Sequence, residues 1–76
     1  MERVVIDFSE EQNVFHFNRG EHRYGINDYV RIGEISYDLA QRFVKYMNKK
    51  YPARYPCNED VKDEFREWIQ ENKTMI

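Results

Sequence analysis

The feature that most constrains this chain is a change of hydrophobic period at Ser36: apolar residues alternate before it and recur every three or four positions after it. In "RVVIDF", Val4, Ile6 and Phe8 fall on one side and Arg3, Val5 and Asp7 on the other, which predicts a strand with one face turned inward. "SEEQN" is polar and turn-prone. "VFHFN" then alternates again, with Phe15 and Phe17 against Val14, His16 and Asn18, so the two segments read as an antiparallel hairpin. "DYVRIGEI" carries β-branched Val30, Ile32 and Ile35 around Gly33. In a helix interior that glycine would cost about 1 kcal/mol relative to alanine, and the stiff β-branched side chains would add to the cost. A lone hairpin is rarely stable without a third strand or a packed helix. The expectation is therefore a strand over residues 29–34.

Ser36 is placed to cap a helix, its hydroxyl accepting from an orphan backbone N–H, with Asp38 in the first turn where the helix dipole favours an anion. Leu39, Ala40, Phe43 and Met47 recur at helical spacing, and Pro52 ends the helix by Tyr51. "YPARYPC" reads as a rigid corner built on two Tyr-Pro pairs. Asn58 is expected to cap a second helix, with Glu59 and Asp60 in its first turn and a buried stripe of Val61, Phe65, Trp68 and Ile69 that frays near Asn72. The fold class expected is α+β: an N-terminal antiparallel sheet of two or three strands packed against two C-terminal amphipathic helices. Phe8, Phe15, Phe17, Leu39, Phe43, Met47, Phe65 and Trp68 are its expected core.

Seventy-six residues make a single domain, since a second core would leave each half too small. A chain of this size hides only about 60% of its unfolded surface, which calls for bulky side chains or subunit pairing. Aromatics at 16% supply the bulk, and a homodimer is the second option. No apolar run approaches the roughly 20 residues that span a bilayer. The start carries acids where a secretion signal carries bases, and the lone Cys57 is not a disulfide framework, so a cytoplasmic protein without membrane attachment is expected.

Net charge is −2, but it is segregated: residues 41–56 hold five bases and no acid, and residues 57–76 hold six acids against three bases. The strongest non-generic stretch is "KYMNKKYPARYP", in which Lys45, Lys49, Lys50 and Arg54 interleave with Tyr46, Tyr51 and Tyr55. Aromatic faces beside cations stack bases and hold phosphates. The structural explanation is that lysines complement a helix C-terminus while tyrosines pack a Pro-braced corner, and it is favoured. Arg19, His22 and Arg23 in "RGEHRYG" form a second candidate surface, suited to an anion or an acidic partner.

"VRIGEIS" loosely resembles the turn of repressor-type helix-turn-helix motifs over about a dozen residues. It departs from them in placing Gly33 a residue early and in opening the would-be recognition helix with Asp38, which repels phosphate. Metal binding has no spacing to support it, because Cys57, His16 and His22 form neither a C-x-x-C nor an H-x-x-x-H pair. No nucleophile elbow, phosphate loop, dinucleotide fingerprint or zinc-hydrolase motif is present, so no enzyme and no cofactor is expected. The leading expectation is a small non-catalytic protein-binding or adaptor domain. The alternative is a nucleic-acid-binding regulator using residues 45–56 or a helix-turn-helix around Gly33.

Overall fold

A computed structural model describes residues 2–19 and 29–72. Three strands, β1 (Arg3–Ser9), β2 (Val14–Asn18) and β3 (Tyr29–Ser36), are followed by helices α1 (Tyr37–Lys50) and α2 (Asn58–Glu71). The chain is an α+β fold. β1 is central, antiparallel to both neighbours in the order β2-β1-β3. The third strand runs through residues 29–36, two residues further than the sequence implied, and this excludes a helix-turn-helix around Gly33. Ladder pairing to β1 holds the segment extended, where a helix would have had to absorb both the glycine and the β-branched residues.

β1 and β2 pair from Val5↔Asn18 to Ser9↔Val14, so Ser9 belongs to the strand and the turn is four residues long, residues 10–13. Asn13 ends that turn with φ 55°, a left-handed conformation that asparagine tolerates better than most residues. Between β1 and β3 the register shifts: Ile6 faces Gly33 and Asp7 faces Arg31, leaving Ile32 as the extra residue of a bulge.

Val4, Ile6 and Phe8 form the sheet's contribution to the core, beneath Ile35 and the helical residues Leu39, Ala40, Phe43, Met47, Val61, Phe65 and Trp68. Phe15 and Phe17, expected in the core, are partly buried at its edge, because β2 is an outer strand with cover on one side only. Phe43 is fully buried and its ring lies 5.7 Å from Phe15, 5.1 Å from Phe65 and 5.4 Å from Trp68, joining the sheet to both helices. Truncating such a side chain to alanine costs about 3–5 kcal/mol.

Ser36 caps α1 as expected, its Oγ accepting from the Leu39 N–H at 3.3 Å. α2 differs: its N-cap is Cys57, and Asn58 is already the first helical residue. Cys57 makes no side-chain bond to the orphan N–H groups, and its Sγ donates to Asp60 Oδ2 at 3.3 Å. Asn58 Oδ1 is buried with no hydrogen-bond partner among the described residues.

α2 approaches the sheet closely at one place. A Cβ on Gly33 would stand 2.5 Å from Phe65 Cε2 and 2.7 Å from Cζ, well inside van der Waals contact with a ring that packs edge to face with Phe43. Gly33 is thus required by packing. Gly33→Ala is expected to destabilise by about 1–3 kcal/mol in urea unfolding, as overpacking does, and Gly33→Ala with Phe65→Leu to recover part of the loss.

Candidate functional site

The basic-aromatic segment has its most connected point at Glu64 on α2, eighteen residues beyond Tyr46. Lys50 Nζ donates to both carboxylate oxygens, at 2.8 and 3.0 Å, while the Tyr46 and Tyr51 hydroxyls donate at 3.0 and 3.1 Å. The ammonium also stands 5.7 Å from the Tyr46 ring centroid and 5.8 Å from that of Tyr51, within cation–π range. One carboxylate gathers one cation and two phenols. The cluster ties the end of α1 and its following corner to the middle of α2.

The electrostatics follow from that geometry. Burial works to raise the Glu64 carboxyl, but the bonds from Lys50, Tyr46 and Tyr51 together outweigh it and hold the group below its ordinary value. Lys50 is raised, chiefly by its bond to Glu64 and then by Tyr46. Tyr51 is raised first by burial and then by its bond to Glu64. Lys50 and Tyr51 are consequently committed to holding the two helices together.

Arg54 and Tyr55 are turned to the hairpin instead. The Tyr55 N–H donates to Asn13 Oδ1 at 3.1 Å, and its ring lies 5.6 Å from Phe8 and 5.0 Å from Phe15, where burial raises the phenol. Arg54 Nη2 donates to the Glu10 carbonyl at 3.4 Å. Lys45 and Lys49 are exposed and share one face of α1 with exposed Arg42, at spacings of three and four. Arg19 pairs with Glu2 at 2.7 Å, whereas His22 and Arg23 lie outside the described residues. The seven candidate residues that are described are therefore not one surface: Lys45 and Lys49 stand apart from the clamp that holds Lys50 and Tyr51, from the corner of Arg54 and Tyr55, and from Arg19 beside Glu2.

The sheet face away from the helices holds a feature the sequence reading missed. Asp7 is 0% exposed, in a row across three strands with His16 on one side and Arg31 on the other. Its Oδ2 accepts from Asn18 Nδ2 at 2.6 Å, and that amide also lies 3.3 Å from His16 Nδ1. The His16 ring is 5.5 Å from that of Tyr29. A buried, bonded carboxylate of this kind is costly to strip of its partner and fixes strand register. Alternation alone assigned Asp7 to an outward face; its burial depends on the position of β1 between β2 and β3, which no local signal carries.

Among the described residues no group of three or more His, Cys, Asp or Glu side chains is placed to hold a metal ion, and no helix is long and apolar enough to cross a membrane. Open depressions among the described residues include one of about 360 Å³ lined by Glu10, Glu11, Arg54 and Asn58 and one of about 260 Å³ lined by Arg66, Glu67, Ile69 and Gln70. Neither gathers a nucleophile with a base. No family model, no curated protein and no solved structure matches the chain.

The Glu64 cluster sets a pH dependence. A carboxyl held low contributes its full stability above about pH 4.5 and loses it as pH falls through the lowered value; Lys50 and Tyr51, both raised, contribute fully below about pH 10 and lose their share as pH rises. At neutral pH, Glu64→Ala is expected to cost about 1–3 kcal/mol in urea unfolding, since it strands two phenols. Between about pH 5 and about pH 3 the gap to the wild type should narrow. A gap independent of pH would rule out the ionised clamp.

Proposed function

We propose that this chain is a non-catalytic protein-binding module that docks an acidic partner surface through the outer face of α1. The supporting observation is how charge is distributed once Lys50 and Glu64 have neutralised one another. α1 presents Arg42, Lys45 and Lys49 to solvent, and α2 presents Glu59, Asp60, Asp63, Glu67 and Glu71. The two helices thus carry opposite outer surfaces, a pattern that orients a charged partner and speeds its approach. A cytoplasmic setting belongs to the same reading, supported by the single free thiol of Cys57.

Nucleic-acid binding is the weaker reading because the aromatic half of the segment is engaged elsewhere. Tyr46, Tyr51 and Tyr55 are half-buried, packed against the core, and two of them spend their hydroxyls on Glu64. That leaves phosphate neutralisation without a stacking platform. The acidic face of α2 opposes it as well.

A charge reversal separates the two. Lys45→Glu with Lys49→Glu, both on exposed positions, should retain the wild-type circular dichroism while weakening binding to polyglutamate by about tenfold or more in low salt. Binding of the wild type to single-stranded or duplex oligonucleotides that falls steeply between about 50 mM and about 200 mM salt would reassign the stripe to nucleic acid. Binding to neither class would overturn the proposal.

A further inference from the structure

We propose that the outer edge of β3 receives a second copy of this chain, paired antiparallel about a two-fold axis between Ile32 and Gly33. β3 is an edge strand of eight residues, longer than β2 at the opposite edge. Long open edges are templates for pairing.

The phase of its backbone groups follows from the ladder. Tyr37 N–H donates to the Glu2 carbonyl at 2.8 Å, and Val4 faces Ile35 two residues on, so Ile35 turns its N–H and C=O toward β1. Ser36 and Glu34 therefore turn theirs outward. Beyond the bulge Val30 bonds to β1 opposite Phe8, and Arg31 and Tyr29 point outward. The Arg3 guanidinium reaches this edge, its Nη2 donating to the Glu34 carbonyl at 3.0 Å from an exposed position.

In the two-fold register Arg31 meets Glu34 of the second copy, twice, with Tyr29 opposite Ser36 and Val30 opposite Ile35. Three properties agree. The axis falls at the midpoint of Tyr29–Ser36, so every residue of the strand is paired. Outward-facing backbone groups meet outward-facing groups. The faces also match: Arg31 and Glu34 lie on the side of Asp7 and Val5, while Val30 and Ile35 lie on the side of Phe8 and Val4 and would extend the apolar layer.

The bulge makes this symmetry available. Residues three apart on a regular strand point to opposite faces, but the extra Ile32 brings Arg31 and Glu34 to one face, where Arg31 Nη2 already reaches Glu34 Oε2 at 3.1 Å within one copy. An edge guarded by charges of a single sign would repel its own copy. This one carries both signs, placed symmetrically. On pairing, Arg3 releases the Glu34 carbonyl and stays beside its carboxylate, from which its Nε is 3.8 Å distant.

Sedimentation equilibrium from about 5 µM to about 500 µM tests the interface. The wild type should rise with concentration from 9.4 kDa toward twice that mass. Glu34→Arg, which sets arginine against arginine at both pairs, should weaken association by about tenfold or more, and Arg31→Glu with Glu34→Arg should restore it. Circular dichroism checks that each variant is folded. A wild type that stays monomeric throughout, a Glu34→Arg variant that associates as well as the wild type, or a double variant no better than the single one would each overturn the proposal.

Discussion

The ring of Phe43 is the point on which the rest of this structure depends. With no exposed surface it touches β2 through Phe15 and α2 through Phe65 and Trp68, so the sheet and both helices share one contact set. A domain this small has little apolar area to spare, and edge-to-face aromatic packing concentrates what it has. The close approach of Phe65 to Gly33 follows from the same crowding. A ring pressed between Phe43 and the sheet leaves no room for a side chain beneath it.

Much of this architecture was legible in the order of residues, because period and capping are local signals. The alternation of Val4, Ile6 and Phe8, the Ser36 cap, the stop before Pro52 and the stripe of Val61, Phe65 and Trp68 each act over a few positions. What escaped the sequence depends on neighbours far along the chain. Glu64 is one of six acids in residues 57–76 with nothing local to set it apart, and only the packing of α2 on α1 brings Lys50, Tyr46 and Tyr51 to it. Asp7 looked outward-facing for the same reason. The cap of α2 failed differently: Cys57 and Asn58 are adjacent, and one residue of chain geometry after Pro56 decides which of them leaves the helix.

The candidate surface shows how a single stretch can mix structural and recognition chemistry. Bases and tyrosines interleave between residues 45 and 55, yet up to Lys50 the fold separates them by helical phase. Lys45 and Lys49 face solvent, and Lys50 turns with Tyr46 toward α2. Interleaving in sequence is therefore no guide to a shared surface when the segment is helical. The aromatic residues are consumed by packing, and the cations left over define a simpler, purely electrostatic face.

Asn13 carries a further consequence. Its left-handed backbone closes the hairpin while its side-chain oxygen receives the Tyr55 N–H from 42 positions away, and Arg54 reaches the neighbouring Glu10 carbonyl. The helical layer is joined covalently to the sheet at Ser36 and fastened again at this far corner, like a lid with a hinge on one side and a latch on the other. Lifting the helices off the strands breaks both latch contacts. Turn and corner are thereby bound to a common fate in opening, although nothing but distance separates them along the chain.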